Sequence, residues 1–307
     1  MSTKVVIIAD PGIDTAFATA LALHDPNIDV LGILASAGNI PAERATQNVQ
    51  LLVNAFDPPR WPKIGAAIPI EYEIDGAQLH GPDGLGGMQL PPISLHQPTP
   101  ADKVLVDLVR DHPHEITLLL LGPGTIFARA MDRDPELPKL LDRIICLGGS
   151  FREPGNATAV AEFHFYLDPS AARRTLRCGI PTSLITLDVM RKLIFSPSDL
   201  LELDKHNSET CRFLRKIVPY GIRSSSNLYG IEGFHLKDVL GIALIVLPSA
   251  FEIQEVYVDV EEKGELTRGL SVFDLRPNAP APNVSWITQI DVAAIRQYIQ
   301  QMFEQMP

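Results

Sequence analysis

Two carboxylates, Asp10 and Asp14, lie four residues apart in the stretch ADPGID near the start of the chain. The apolar run over residues 5–9 is typical of a strand buried on both faces, and a helix is expected from Asp14. In open α/β sheets ligands bind at the carboxyl ends of strands, where carboxylates suit a hard cation or sugar hydroxyls better than a phosphate. A tight turn with an aspartate helix cap would explain the same residues without any chemistry, so the rest of the chain must decide.

The composition and charge restrict the classes of protein to which the chain can belong. With 46% hydrophobic and 21% charged residues and a formal net charge of -11, the chain resembles a soluble globular enzyme. The negative charge argues against binding nucleic acid through a basic surface and against attraction to anionic membranes. Cys146, Cys178 and Cys211 form neither a zinc pattern nor a disulfide framework, which favours a reducing, cytoplasmic location. We also expect no signal peptide and no membrane-spanning helix.

Strand-like and helix-like segments alternate along the chain, which predicts an α/β fold with an open, mostly parallel sheet flanked by helices. We expect one domain over residues 1–307, with a small antiparallel β appendage at about 251–291 within it. Four strands end in turns of Gly, Asp, Asn or Thr, as in a crevice built from strand ends. An apolar helix predicted over 233–247 buries Asp238, and the long loop over 68–98 contains the candidate site residue His80.

Eight short motifs follow one another along the chain. They are ADPGID, GN at 38–39, HGPDGLGG at 80–87, LGPGT at 121–125, LGG at 147–149, EPGN at 153–156, AEFHFYLDP at 161–169 and KDVLGIALI at 237–245. In this order they resemble the motifs of nucleoside hydrolases of the inosine-uridine preferring type. The resemblance implies the fold of that family and cleavage of the N-glycosidic bond of ribonucleosides or of a related N-glycoside.

The resemblance also implies a role for individual residues and a Ca²⁺ ion at the bottom of the crevice. The ion would bind the Asp10 carboxylate, the Thr125 carbonyl and the Asp238 carboxylate, and Asp10 would also be the general base that activates water. The remaining substrate-binding residues implied for ribose or base are Asp14, Asn39, His80, Asn156, Glu162, His164 and Lys237. The partner would be a small-molecule nucleoside or sugar, and a homodimer or homotetramer is the assembly expected from the family.

The chain departs from the family pattern at positions whose side chains, in the family, contact the metal, the leaving nucleobase or the ribose. The first turn of the family usually follows DxDPGxDD, but Ile8 and Thr15 stand at its first and last acidic positions. The Thr15 position matters most, because the carboxylate there normally chelates the metal and calcium affinity follows ligand charge. Lys237 replaces a histidine able to protonate a leaving base, and His164 replaces an asparagine that contacts ribose.

Two hypotheses follow from these matches and departures. In the first, the chain is a hydrolase with weak dependence on Ca²⁺, because the general base and the ribose-binding residues remain. In the second, it is a non-catalytic relative that binds ribose or another carbohydrate and has lost the metal. Lys237 would then place its ammonium where the metal would be, paired with Asp10 and Asp238.

Overall fold

The computed structural model describes residues 2–71, 73–88 and 98–306. Residues 72 and 89–97 of the predicted loop therefore lie outside the described residues. The strands are β1 Thr3–Ala9, β2 Ile28–Ala35, β3 Lys63–Gly65, β4 Ile116–Leu121, β5 Arg143–Leu147, β6 Thr182–Ile185, β7 Ile194–Phe195, β8 Phe234–His235, β9 Phe251–Val260, β10 Ser271–Asp274 and β11 Val284–Ile290.

The helices alternate with these strands. They are α1 Ile13–His24, α2 Ala42–Phe56, α3 Ala77–His80, α4 Ala101–Asp111, α5 Thr125–Arg133, α6 Leu137–Leu140, α7 Phe163–Leu167, α8 Pro169–Leu176, α9 Leu187–Met190, α10 Pro197–Leu203, α11 Glu209–Tyr229, α12 Val239–Val246 and α13 Val292–Gln305. Within the described ranges, no helix is both long enough and apolar enough to cross a membrane.

Nine strands form one sheet in the order β10-β9-β11-β6-β5-β4-β1-β2-β3. The pairings from β3 through to β11 are parallel, whereas β9 runs antiparallel to both β11 and β10. This confirms the predicted mostly parallel sheet with antiparallel strands near the C-terminus. Those C-terminal strands continue the main sheet, because β11 pairs directly with β6.

The central strands are buried on both faces, as their apolar runs predict. Along β1, Val5 and Ile7 join one hydrophobic cluster and Val6 and Ile8 join the other. Ile8, which stands where the family pattern has an aspartate, is thus a core residue with no exposed surface.

The predicted helix over 233–247 is wrong in its first part. Residues Phe234–His235 form β8, which pairs antiparallel with β7, and helix α12 begins only at Val239. Gly233 explains the break, because its φ of 139° is closed to most side chains and a Cβ there would lie 2.3 Å from the Phe195 carbonyl oxygen. His235 therefore does not lie on a helix, and Asp238 stands at the N-cap of α12.

Candidate active site

Asp10 follows β1 directly and is completely buried. Its two carboxylate oxygens each accept the backbone N–H of Asn39 at 2.8 Å, and the Asn39 side-chain amide donates to the Asp10 carbonyl at 3.1 Å. A Cβ at Gly38 would lie 2.3 Å from the Asp10 carboxylate, and one at Gly122 would lie 2.9 Å from the Asp10 Cβ. The motifs GN and LGPGT therefore leave space for one fixed carboxylate. Burial raises the pKa of Asp10 well above its usual range, although the Asn39 N–H opposes this change.

Asp14 is also buried, and it is not a helix cap. Gly12 occupies the N-cap of α1 without a side-chain cap bond. Instead, the Asp14 carboxylate lies 3.8 Å from the Lys237 ammonium and 3.8 Å from Nδ1 of His80. The structural interpretation of Asp14 as a capping residue is therefore wrong.

His80 packs against the first turn. Its Nδ1 accepts the Ile13 N–H at 3.1 Å, and a Cβ on Gly12 would lie 2.9 Å from the ring. Burial lowers the pKa of His80 to about 4, so the ring is neutral near pH 7 with its hydrogen on Nε2. His80 is not a solvated loop histidine, because only 4% of its surface is exposed.

Thr15 links the first turn to α12. Its hydroxyl lies 2.6 Å from Oδ2 of Asp238 and 3.0 Å from the Asp10 carbonyl oxygen, and it donates its one hydrogen mainly to the closer carboxylate. Burial, with the Asp14 charge adding to it, raises the pKa of Asp238 well above its usual range. Asp238 therefore hydrogen-bonds to a hydroxyl rather than pairing with a core arginine or lysine.

Lys237 faces Asp14. The non-catalytic hypothesis instead predicts that it pairs with Asp10 and Asp238. Among the described residues, Asp14 is the carboxylate that lies within 4 Å of its ammonium. Burial alone would lower the pKa of Lys237, but the charges of Asp14 and Asp238 outweigh it and raise that pKa, so the side chain stays protonated.

Glu162 and His164 lie on the other side of Asp10. Glu162 is the N-cap of α7, and its Oε2 accepts the N–H groups of Gly149 at 3.2 Å and of Phe165 at 3.1 Å. His164 Nε2 lies 3.9 Å from Oδ2 of Asp10, and its Nδ1 lies 3.8 Å from Oε1 of Glu162. Glu162 is only 3% exposed, so it is not a surface charge.

Asn156 is held in a loop that Asp188 anchors from outside the site. Oδ1 of Asn156 accepts the Phe163 N–H at 2.8 Å. The Asp188 carboxylate accepts the backbone N–H groups of residues 151 and 152 at 2.8 Å and that of residue 153 at 3.3 Å. Arg191 adds an ion pair to Glu153 at 2.7 Å. No local motif marks Asp188 as a residue with this positioning role.

The Thr125 side chain does not join the carboxylates. Its hydroxyl donates to Oδ2 of Asp168 at 2.7 Å, and Asp168 in turn caps α8 through the Ala171 N–H. This contact connects α5 to α8. A role for the Thr125 carbonyl as a ligand stays a prediction.

A cavity of about 470 Å³ opens beside these residues, and Asn39, His80, Asn156, Phe163 and Lys237 are among those that line it. This volume falls in the range of small-molecule sites. Leu228 and Tyr229, both more than 40% exposed, lie at its solvent side.

A narrower cavity adjoins the first and shares Leu79, His80, Asn156, Tyr229 and Lys237 with it. Ser225 and His235 also line this narrower cavity, and the Ser225 hydroxyl and His235 Nδ1 are buried without a hydrogen-bond partner in the described part of the chain. Burial, together with the Lys237 charge, lowers the pKa of His235 to about 4.

The sequence did not point to Ser225, because a serine within an amphipathic helix gives no pattern. His235 falls within the helix predicted over 233–247, whereas in the structure it lies in β8.

A comparison with known proteins identifies the family of this chain. The model of the inosine-uridine preferring nucleoside hydrolases matches residues 5–297. The chain belongs to this family. It is therefore a nucleoside hydrolase, an enzyme of the class that hydrolyses the N-glycosidic bond of ribonucleosides, and its substrates are small molecules.

Individual relatives agree with the family match. The chain is 32% identical to the non-specific ribonucleoside hydrolase RihC of Salmonella agona, over 100% of this chain and 99% of that protein. It is also 32% identical to a probable uridine nucleosidase 2 of Oryza sativa, over 89% and 82% of the two chains. The structure of a plant nucleoside hydrolase, PpNRh1, superposes with a TM-score of 0.91 at 27% identity over 99% of both chains. A purine-preferring ribonucleoside hydrolase from Gardnerella vaginalis shares the fold with a TM-score of 0.90 at 23% identity over 99% of both chains.

Proposed function

We propose that this nucleoside hydrolase binds the ribose of its substrate in the cavity of about 470 Å³ and uses Asp10 as the general base toward water. The observation that carries the proposal is the fixed orientation of Asp10, whose two carboxylate oxygens are held by the Asn39 N–H. A base held in one orientation loses little entropy when it removes a proton.

Ribose binding is assigned to the polar residues of the cavity wall and to the carboxylates behind them. Oδ1 of Asn156 is already engaged by a backbone N–H, so its amide hydrogens are the groups offered to a sugar hydroxyl. The Asp14 and Glu162 carboxylates are buried next to this wall and accept hydrogen bonds from hydroxyls. Their negative charge also stabilises the oxocarbenium-like sugar of the transition state.

The chemical step follows from these positions. Asp10 takes one proton from water as the water oxygen forms a bond to C1′ of the ribose. The N-glycosidic bond breaks, and its electron pair goes to the nitrogen of the nucleobase. The nucleobase then takes one proton from solvent in the open cavity. Because burial raises the pKa of Asp10, its carboxylate is a stronger base than an exposed aspartate.

The departing base is assigned to the end of the site nearest Ser225 and His235. The hydroxyl of Ser225 and the Nδ1 of His235 are buried polar atoms without a partner, and a nucleobase edge offers both donors and acceptors. This narrow cavity of about 30 Å³ is too small to enclose a nucleobase, so its apolar residues, among them Ile13 and Leu187, would contact only the part of the ring that reaches it.

Calcium is the component of the family site that these residues fit least. The ion would be held by Asp10, Asp238 and the Thr125 carbonyl, and when bound it would lower the pKa of the attacking water. Ca²⁺ prefers six to eight oxygen ligands. Yet the Asp10 oxygens already accept an N–H, and Oδ2 of Asp238 accepts the Thr15 hydroxyl. Over residues 2–71, 73–88 and 98–306, no group of three His, Cys, Asp or Glu residues could hold a metal ion.

The test is release of free ribose and free base from uridine, cytidine, inosine and adenosine, each measured by a reducing-sugar assay and chromatography. We expect release from at least one of them, and Asp10→Asn to lower it by about 10²- to 10⁴-fold. Asp29→Asn is the matched control, because Asp29 pairs with Arg60 at the amino end of β2 and should keep full activity.

The opposite result would favour the non-catalytic hypothesis. If the purified protein binds these nucleosides but releases no ribose, and Asp10→Asn changes neither property, then the catalytic role of Asp10 is wrong. The homodimer or homotetramer and the cytoplasmic location stay predictions.

A further inference from the structure

We infer that Lys237 and Thr15 together replace the divalent metal of this site, so that the enzyme works without a bound metal ion. The inference rests on the proposed function, since it concerns the same carboxylates. It assigns Lys237 and Thr15 as positioning residues that hold Asp14 and Asp238 in a site that would otherwise carry too much negative charge.

The need for a counter-charge follows from burial. Asp10, Asp14, Glu162 and Asp238 surround one site, and none of these side chains belongs to a residue more than 4% exposed. Buried carboxylates are strongly unfavourable unless they are paired, hydrogen-bonded or protonated. Backbone N–H groups already compensate Asp10 and Glu162 in part, and a cation beside the remaining carboxylates would lower the cost further.

Lys237 supplies a cation from within the chain. Its ammonium lies 3.8 Å from Oδ2 of Asp14, and its side chain lines both cavities with only 19% exposure. Among the described residues, no arginine and no other lysine lies within 4 Å of any of the four carboxylates. A lysine ammonium is a compact point charge, which suits replacement of an ion.

Thr15 closes the position that a metal would need. Its hydroxyl donates to Oδ2 of Asp238 at 2.6 Å and so occupies a lone pair that an ion would use. The Thr15 hydroxyl oxygen also lies 3.0 Å from the Asp10 carbonyl oxygen, so one neutral side chain lies between the first turn and α12. The hydrogen bond thus fixes the Asp238 carboxylate against α1, a connection that an ion bound to Asp10 and Asp238 would otherwise provide.

The two departures from the family pattern also agree in charge. Threonine in place of aspartate at position 15 removes one negative charge, and lysine in place of histidine at position 237 adds one positive charge. At these two positions together the chain is two charges more positive than the pattern, which is the charge that a calcium ion would bring. Neither of the two alone would supply that charge.

The test compares metal binding in the purified protein with binding in Thr15→Asp, Lys237→His and the double variant. After treatment with a chelator, each is titrated with Ca²⁺ by calorimetry and with Tb³⁺ by luminescence. For the wild type we expect no Ca²⁺ binding tighter than about 10⁻³ M, and ribose release unchanged by the chelator. The double variant should bind Ca²⁺ at about 10⁻⁶–10⁻⁴ M, and Ca²⁺ should raise its melting temperature.

The single variants keep the inference falsifiable. When both proteins are free of metal, Lys237→His should melt at a lower temperature than the wild type. Thr15→Asp alone should bind Ca²⁺ more weakly than the double variant. Lys139→His is the control, because its side chain is 72% exposed on α6, and it should leave metal binding and melting unchanged. Micromolar Ca²⁺ binding by the wild type, or loss of its ribose release in the chelator, would overturn the inference.

Metal binding and turnover are read separately, so the two proposals fail in different ways. A wild-type protein that releases no ribose with or without Ca²⁺ contradicts the proposed function. Absence of metal binding in that same protein, with binding gained in the double variant, would still support the replacement of the metal by Lys237 and Thr15.

Discussion

The two sides of the site are held in place by different kinds of contact. On the ribose side, defined here as Asp10, Asn39, Asn156, Glu162 and His164, the carboxylates accept backbone N–H groups at the ends of strands and helices. On the lysine side, defined as Thr15, Lys237 and Asp238 with Asp14, side chains contact other side chains.

The difference explains where the chain follows the family pattern and where it departs. A carboxylate held by backbone amides keeps its place whatever the neighbouring side chains are, but the backbone must be shaped for it. A contact between two side chains can be exchanged for another of similar size and charge. The fold therefore fixes the Asp10 and Glu162 carboxylates of the ribose side. The departures at Thr15, Lys237 and His164 all fall on side chains that no such backbone contact requires.

Glu162→Gln tests the ribose side and, after Asp10→Asn, should have the largest effect on activity. The glutamine oxygen still accepts the N–H groups of Gly149 and Phe165, so the melting temperature should change little. The lost charge should lower kcat/KM by about 10- to 100-fold, because charged hydrogen bonds contribute about 1.5–3 kcal/mol. Steady-state kinetics with the best nucleoside measures this change.

Glu162→Ala is the companion variant, because it also removes the N-cap of α7. We expect it to lower the free energy of unfolding by about 1 kcal/mol in addition to the loss of activity. Wild-type kcat/KM in Glu162→Gln would show that the carboxylate serves only as a helix cap.

Asp188→Ala tests whether the ribose side depends on an anchor outside the cavity. Three backbone N–H groups of residues 151–153 lose their acceptor, so the free energy of unfolding should fall by about 1–3 kcal/mol. KM should rise as well, since Asn156 lies three residues further along the same loop. Chemical denaturation and steady-state kinetics measure the two effects.

The stabilising effect of Asp188 should depend on pH in a defined direction. Burial alone would raise the pKa of Asp188, but the N–H groups of Arg152 and Phe151 outweigh it and lower that pKa. A lowered pKa means that the stabilisation is present above the unfolded-state value and is lost as the pH falls through the folded-state value. The difference between wild type and Asp188→Ala should therefore shrink in strongly acidic buffer, and a constant difference would contradict this explanation.

The amino-acid sequence predicts the ribose side and the sheet better than it predicts the lysine side. Strand ends and glycine turns are local patterns, so the alternation of strands and helices places Asp10 and Asn39 at one edge of the sheet. Glu162 is expected there only from the resemblance to nucleoside hydrolases. The helix predicted over 233–247 is wrong at its start because Phe234–His235 pair with β7, a strand some forty residues earlier in the chain. Periodicity does not reveal a pairing over that distance.

The contacts of individual side chains were the least predictable part. The non-catalytic hypothesis predicts Lys237 beside Asp10 and Asp238, yet Asp14 is the carboxylate within 4 Å of its ammonium among the described residues. The Thr125 hydroxyl contacts Asp168, a residue outside the predicted metal cage. Such choices depend on distances of a few ångströms between elements that are far apart in sequence.

Ser225→Ala should have the smallest effect, and its sign makes it informative. The Ser225 hydroxyl is buried without a partner, so its removal should leave the free energy of unfolding unchanged or raise it by about 1 kcal/mol. If the nucleobase uses this hydroxyl, KM should rise by about 2- to 10-fold, which matches one neutral hydrogen bond. Thermal unfolding and steady-state kinetics on the same preparation measure both changes.

Ser224→Ala provides the matched control, because the neighbouring hydroxyl donates to the Leu79 carbonyl at 2.7 Å. Its loss should lower the free energy of unfolding by about 1 kcal/mol, with a smaller change in KM than in Ser225→Ala. Equal destabilisation in both variants would mean that the Ser225 hydroxyl has a hydrogen-bond partner in the folded protein and is not available to the nucleobase. Opposite signs in stability and in KM would instead show that this hydroxyl is kept without a partner, at a cost in stability, for a ligand that supplies one.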